Sequence, residues 1–375
     1  MADNQPVTRS KNRMTPTLQT FSARLRDFIS RAAPRTERGF NALALELFAL
    51  QFDANVPYRR FCAARRLAPA TVEHWTRIPA LPAAAFKEYE VTCLAPTERT
   101  RVFHSSGTTQ HHPARHFHSG ASLEVYEAAL LKWFHAQVMP PDSSGRALCL
   151  TPAPEQAPHS SLAYMLGAIR NALPPGAVAF AGRLARSGAW EVDTAEADRI
   201  VHAAVAAQTP LVVLGTAFGF VHWLDTLAAR GVRHSLPGGS RVMETGGYKG
   251  RSRSLPQSEL HALITERLGV PAEAIVCEYG MSELSSQAYA TVGTTAELRA
   301  FHFPPWARAQ VISAETGALV DEGETGLLRV LDLANIFSVA AIQTEDLALR
   351  RGNGFELLGR AALAEPRGCS LLAVA

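Results

Sequence analysis

Between residues 122 and 278 the chain alternates short apolar runs with longer amphipathic stretches, and this rhythm restricts the fold more than any other feature. The apolar runs fall at 147–150, 211–215, 241–244 and 274–278, while helical spacing marks 122–137, 160–171, 194–206, 218–229 and 258–268. Such alternation predicts an α/β fold, a mostly parallel sheet covered by helices on both faces. Ligands of such sheets sit at the carboxyl ends of the strands, on the loops that follow. Thr151, Gly215-Thr216, Thr245-Gly246-Gly247 and Tyr279-Gly280 all stand at such ends, which predicts one shared site.

The flanks read differently. Residues 1–16 are polar and expected as a disordered tail, and helical spacing follows at 18–31 and 40–51. A stretch at 78–96 is punctuated by prolines and reads as turns around a short segment at 83–89. After residue 297 the strands 310–312, 325–331, 341–349 and 355–358 succeed one another through turns such as Glu315-Thr316-Gly317. Strand after strand predicts a small antiparallel or barrel-like unit. The expected division is an α/β core over 17–300, a β-rich subdomain over 301–360 and a C-terminal tail over 361–375.

Composition removes several classes of function. The 375 residues are 47% hydrophobic and 19% charged, as in a soluble globular protein. Thirty-seven basic against thirty-four acidic residues is too even a balance to point to nucleic acid. The five cysteines (Cys62, Cys93, Cys149, Cys277 and Cys369) show no C-x-x-C spacing, which speaks against a disulfide framework and for a reducing compartment. Neither a signal peptide nor a membrane span is visible: the most apolar region, 203–221, is broken by Gln208, Thr209, Pro210 and Gly215. A cytoplasmic location is the expectation.

Four segments carry chemistry. Ser105-Ser106-Gly107-Thr108-Thr109-Gln110 brings four hydroxyls and a run of backbone N–H groups around one glycine, the makings of an anion-binding turn. No Gly-Lys-Ser/Thr follows, so it is not a Walker loop. In Glu244-Thr245-Gly246-Gly247-Tyr248-Lys249-Gly250, the paired glycines make a turn or let a flat ring lie against the backbone. In Glu278-Tyr279-Gly280-Met281-Ser282-Glu283, Tyr279 can stack on a base, Ser282 can bond phosphate, and Glu283 offers Mg²⁺ a hard oxygen. In Gln343-Thr344-Glu345-Asp346, followed by Gly359-Arg360, Asp346 and Arg360 can grip ribose hydroxyls and neutralise phosphate.

In this order and spacing the four segments resemble those of the adenylate-forming superfamily of acyl-CoA synthetases and luciferase-type ligases. Residues 105–109 are similar to its Ser-Ser-Gly-Thr-Thr phosphate loop and residues 279–283 to its Tyr-Gly-x-Ser/Thr-Glu motif. Asp346 falls where the ribose-binding aspartate stands, within Thr-Glu-Asp in place of the usual Thr-Gly-Asp. Gln110 replaces the usual glycine, and the usual Pro-Lys is absent after it. The resemblance implies the superfamily's N-terminal-domain fold with ATP and Mg²⁺ as cofactors. The sequence ends soon after Arg360, so the expected form lacks the mobile C-terminal domain and its lysine.

That form resembles one branch, the acyl-protein synthetases or long-chain-fatty-acid–protein ligases of bacterial bioluminescence. Arg367-Gly368-Cys369-Ser370-Leu371-Leu372, Pro158-His159-Ser160-Ser161 and Leu214-Gly215-Thr216-Ala217-Phe218 are similar to segments of that branch. The resemblance implies a ligase that forms acyl-AMP from a fatty acid and passes the acyl group to a protein cysteine. Cys369 is then the acceptor, tail 361–375 its carrier, and an acyl reductase the partner. Lys249 is the leading replacement for the missing lysine, with Arg251 and His104 as other cations beside the motifs. Two other readings stay open: an adenylating ligase for another carboxylic acid with coenzyme A or a carrier protein as acceptor, and a non-catalytic partner on a degenerate adenylation fold. The cluster His111-His112-Pro113-Ala114-Arg115-His116-Phe117-His118 lacks H-E-x-x-H and a nearby carboxylate, so it reads as a loop. Cys277 reads as core.

Overall fold

The structure, a computed structural model, describes residues 17–31, 36–105, 112–140, 145–246, 255–291 and 300–360. In chain order the elements begin with α1 (Leu18–Ser30), α2 (Glu37–Ala54), α3 (Val56–Ala64), β1 (Leu81–Pro82), α4 (Ala85–Glu88), β2 (Arg101–His104), β3 (Arg115–His118) and α5 (Gly120–Gln137). They continue with β4 (Ala147–Cys149), α6 (Ser161–Ala172), β5 (Val178–Phe180), β6 (Gly182–Leu184), β7 (Trp190–Val192), α7 (Thr194–Ala206) and β8 (Val212–Thr216). Next come α8 (Ala217–Ala229), β9 (Arg241–Thr245), α9 (Gln257–Leu268), β10 (Ile275–Tyr279) and β11 (Ala288–Thr291). The last four are β12 (Ala307–Ile312), β13 (Thr325–Asp332), β14 (Ala341–Arg351) and β15 (Gly354–Arg360).

The alternating region folds as its rhythm predicts. One sheet runs β11-β10-β9-β8-β4-β5, parallel from β5 to β10, with β11 antiparallel at the edge. Successive residues of a strand point to opposite faces. Leu148, Val213, Val242 and Ile275 accordingly enter one core with α7, α8 and α9. Their neighbours Cys149, Val212, Leu214, Met243 and Val276 enter the opposite core with α5 and α6. Both faces are apolar, so these strands read as continuous runs rather than as alternation.

A second sheet is built around β14, with β13 on one edge and β12 beyond it. The other edge of β14 is shared: Leu81 and Pro82 of β1 pair with Ile342 and Gln343, and β15 pairs from Asp346 onward. Among the described residues these strands form an open sheet, not a closed barrel. The N-terminal helices cover it, and Phe21, Leu47, Phe48 and Tyr58 share one core with Val311, Leu328, Val330 and Ile342. Among the described residues no helix is long and apolar enough to cross a membrane.

The histidine cluster, expected as a loop, contains β3, paired antiparallel with β2. In strand geometry His116 and His118 point inward while Arg115 and Phe117 point outward, so the hidden alternation is carried by histidines rather than by aliphatic residues.

One buried amide ties the first and last parts of the chain. Gln51 of α2 donates to the carbonyls of Asn335 (2.8 Å) and Ile336 (2.9 Å) and accepts from the Ala340 N–H (2.9 Å). Gln51→Ala leaves two carbonyls and one N–H buried without partners, and is expected to lower stability by about 2–4 kcal/mol. Urea unfolding followed by circular dichroism measures this; a loss below about 0.5 kcal/mol would show that the turn is held by other contacts.

Candidate active site

Three parallel strands end level with one another: Thr216 of β8 is in register with Thr245 of β9, and Thr245 with Glu278 of β10. The chain leaves β9 through Gly246, which is exposed. It leaves β10 through Gly280, Met281, Ser282 and Glu283. A Cβ at Gly280 would lie 2.3 Å from Glu278 Oε1, so glycine there makes room for the carboxylate that folds over it.

Tyr279 stands at the end of β10, its ring edge-on to Phe301, Phe303 and Phe355. Its hydroxyl donates to Asp346 Oδ2 at 2.7 Å. Asp346 owes its position to an irregularity in β14. The register to β13 shifts across Leu327 and Arg329, and Thr344 bonds the Leu328 carbonyl (2.7 Å) and accepts from the Asp346 N–H (3.2 Å). Such bulges re-aim a side chain. Arg360, the register partner of Asp346 on β15, places Nε 3.9 Å from Asp346 Oδ1 and keeps its guanidinium in solvent. Burial pushes the Asp346 carboxyl above its ordinary range, against the opposing effects of Tyr279 and Arg360. Burial, followed by the charge of Asp346, raises the Tyr279 hydroxyl and keeps it a donor.

Glu283 is buried, and Ser282 Oγ donates to its Oε2 at 3.1 Å. The backbone of this pair is held from both sides. The Ser282 carbonyl accepts from His116 Nδ1 at 2.8 Å, and the Glu283 carbonyl accepts from Asn335 Nδ2 at 2.9 Å. The carbonyl partner fixes the His116 proton on Nδ1, and burial pushes its pKa down to about 4, so the ring is neutral. Downstream, Asp332 accepts from the Ser285 N–H, the Ser286 hydroxyl and the Ala334 N–H at 2.7–3.0 Å. Burial raises the Glu283 carboxyl; among the opposing influences are the positive charges of Arg360 and of Lys87 on α4.

Ser106, Gly107, Thr108, Thr109, Gln110, Gly247, Lys249, Arg251 and Cys369, all singled out from the sequence, lie outside the described residues. What is described is the neck from which the hydroxyl-rich segment springs. The Ser105 N–H donates to the Ala114 carbonyl (3.1 Å), and Ser105 Oγ accepts from the Ala114 N–H (2.9 Å). Two residues beyond Ala114, His116 connects this neck to Ser282. The structure therefore brings Tyr279, Ser282, Glu283, Asp346 and Arg360 together, and Ser105 and Gly246 are the last described residues before 106 and 247. Sequence reasoning missed Lys87, His116, Asp332 and Asn335. Only the strand alternation of His116 and His118 offered a signal for any of them.

Glu278 faces the α5–α6 side, where its charge reaches Tyr126 and Tyr289. Burial pushes its pKa from 4.5 up to about 7, against a hydrogen bond from Thr245. Folding thus favours the protonated acid: this stability is fully present below the unfolded pKa and is lost as pH rises through about 7. Glu278→Gln should remove the loss, flattening the fall in unfolding free energy between acidic and mildly alkaline pH by about 2–3 kcal/mol. Denaturant titrations of both proteins at the two ends of that window measure it, and equal slopes would contradict a protonated Glu278.

Residues 191–374 match the family model described as acyl-protein synthetase, LuxE. Among curated proteins, none matches this sequence. An open conformation of 2-hydroxyisobutyryl-CoA ligase in complex with 2-HIB-AMP and CoA superposes with a TM-score of 0.64 at 14% identity, over 86% of this chain and 69% of that one. The same ligase in its thioesterification state gives 0.65 at 14% identity, over 88% and 69%. Its postadenylation state gives 0.62 at 13% identity, over 86% and 67%. At these identities the likeness is one of fold. The chain thus shares the fold of the adenylate-forming ligases, and over residues 191–374, which carry Tyr279, Glu283, Asp346 and Arg360, it is similar to the acyl-protein synthetases of the LuxE family.

Proposed function

We propose that this chain is an ATP-dependent ligase that activates a long-chain fatty acid as acyl-AMP and transfers the acyl group to a protein cysteine, its own Cys369. The observation that carries the reading is the convergence of Tyr279, Asp346, Arg360 and Glu283 at one sheet rim, inside the segment that matches the acyl-protein synthetases. Asp346, re-aimed by the bulge and paired with Arg360, suits the two hydroxyls of a ribose. Among the described residues none brings an atom within 4 Å of a Cβ placed on Gly246, so their packing does not require glycine there, and they leave a flat base room against the backbone.

In the first half-reaction a carboxylate oxygen bonds to the α-phosphorus of ATP and pyrophosphate leaves. In the second the Cys369 sulfur, after losing its proton, bonds to the acyl carbon and AMP leaves as an anion. Ser105, with Ser106, Gly107, Thr108 and Thr109, takes the phosphate side, while Gly246, Gly247, Tyr279 and Gly280 take the base. Ser282, already bonded to Glu283, aligns that carboxylate. Glu283, an oxygen donor in a buried setting, fits Mg²⁺, which would neutralise phosphate charge when bound. Lys87 and Arg360 are cations on the described side of the site, and Lys249 is a third from the neighbouring segment. Their task is to neutralise charge developing on the departing pyrophosphate. An acyl reductase is the partner that would receive the acyl group from Cys369.

Fatty-acid-dependent exchange of labelled pyrophosphate into ATP tests the first half. Glu283→Gln and Asp346→Ala should each lower exchange by about 100-fold, and Lys87→Ala by about 10-fold, with circular dichroism unchanged. Absence of acid-dependent exchange in the unaltered protein across a panel of carboxylic acids would overturn the reading. For the second half, Cys369→Ser should keep exchange and lose the hydroxylamine-labile acyl label. A label that survives this change, or that appears on added coenzyme A instead, assigns the acceptor elsewhere.

A further inference from the structure

A second cluster of reactive side chains lies beneath this rim, on the face of the sheet from which Tyr279 also projects. Glu244 and Cys277 are register partners on the adjacent parallel strands β9 and β10. Each stands two residues beyond a core residue, Val242 and Ile275, that points at α8 and α9, so both side chains share that face. Helix α9 presents Gln257 and His261 to the same spot, four residues apart and therefore one above the other. Two neighbouring strand residues and two residues on one helical stripe thus offer four donors of different chemistry to one point.

The distances are those of a coordination shell. Glu244 Oε1 lies 3.2 Å from His261 Nε2, and Cys277 Sγ lies 3.8 Å from the same nitrogen. The three ligand atoms all fall within 4.8 Å of one another. The Gln257 amide nitrogen is 3.0 Å from Glu244 Oε1 and 3.2 Å from Cys277 Sγ. Amide nitrogen and oxygen exchange places by a half-turn of the terminal torsion, which sets a carbonyl oxygen at this corner. Tetrahedral zinc, with bonds of about 2.0–2.3 Å to nitrogen, oxygen and sulfur, has ligand–ligand edges of about 3.3–3.6 Å. The observed separations bracket that range. Glu244, His261 and Cys277 are all buried, where a charge must be balanced locally. Carboxylate and thiolate together cancel a divalent cation, while imidazole and amide add no charge.

We propose that Glu244, Gln257, His261 and Cys277 form a closed zinc site that staples α9 to the ends of β9 and β10. The mixed oxygen, nitrogen and sulfur set suits zinc better than magnesium or calcium, which take oxygen alone. Binding displaces the Cys277 thiol proton to solvent, moves the His261 ring proton from Nε2 to Nδ1, and forms four metal–ligand bonds, with no change of oxidation state. Four protein donors leave no open position, so the ion is structural. It fixes the strand ends from which Thr245-Gly246 and residues 278–283 project.

The full chain, expressed with zinc in the medium and purified without chelators, should retain one zinc per chain by elemental mass spectrometry. Cobalt(II) loaded into the metal-depleted protein should give the visible bands of a tetrahedral site and a sulfur-to-cobalt charge-transfer band. Cys277→Ser, close to isosteric, should lose that band and most of the zinc. Removing zinc from the unaltered protein should lower its melting temperature, and re-adding zinc should restore it. A protein with no bound zinc and no cobalt spectrum holds only a hydrogen-bonded cluster, which overturns the proposal. Zinc and cobalt–sulfur absorption unchanged in both Cys277→Ser and His261→Gln would place the ion elsewhere and overturn it equally. All readouts are independent of ligase activity, so a failed exchange assay leaves them intact.

Discussion

The buried carboxylate of Asp332 is the contact on which the rest of the arrangement depends. It accepts from the Ser285 and Ala334 N–H groups and from the Ser286 hydroxyl, and Ser286 in turn accepts from Trp306 Nε1 at 3.1 Å. The cost of burying the group shows in its pKa, pushed up to about 6. Asn335 extends the knot to the carbonyls of Glu283 and Val339. The 332–340 turn thereby joins three distant parts of the chain: β10 through residues 283–286, α2 and α3 through Gln51 and Asn55, and the stretch before β2 through the Ser338 hydroxyl on the Val91 carbonyl. Because buried polar groups are expensive without partners, this turn has one satisfactory arrangement, and the sheets inherit their relative placement from it.

The two carboxylates proposed to meet the nucleotide are held by different means. Glu283 is set by its backbone, clamped between His116 and Asn335, with one intramolecular bond to its side chain. Asp346 is set by a strand irregularity and by the Tyr279 hydroxyl. Tyr279 is therefore the link across the two sheets: it ends the parallel strand β10 and bonds to the antiparallel strand β14. The proposed zinc site holds the same β10 two residues earlier, at Cys277, on the face from which Tyr279 projects.

How much of this was legible in the sequence differed by the range of the interaction. The parallel sheet and its covering helices were readable because each strand is a short apolar run and each helix a local periodicity. The expected helix at 194–206 is α7 as observed. Of the candidate site, the part carried by one local motif, Tyr279-Gly280-Met281-Ser282-Glu283, could be marked out from the sequence. The site was not readable where a side chain arrives from another part of the chain. Lys87 stands on the short helix α4, in a segment (83–89) that the sequence marks off between turns but gives no role. Strand β3 was hidden because histidines fill its inward positions, and β6 and β7 are too short to carry a pattern. Cys277 was correctly placed in a buried strand, yet its partners Gln257 and His261 sit on a helix whose facing stripe only the three-dimensional register reveals.

The pairing of Asp346 with Arg360 at the edge of β14 also sets the starting point of the segment that follows. Cys369 is nine residues on from Arg360. Whatever path the intervening residues take, covalent geometry keeps its sulfur within about 30 Å of the Asp346 side of the rim. One thiol confined to a sphere of that radius corresponds to an effective concentration on the order of 10 mM. In the proposed reaction, a small free thiol of equal reactivity would have to be present at comparable strength to compete with Cys369 for the acyl group. A docked protein is exempt from this limit, because it brings its own thiol at a local concentration set by its contact surface. With Cys369 as the proposed acceptor, the edge pairing of one strand would select against dissolved acceptors without any contact that recognises them.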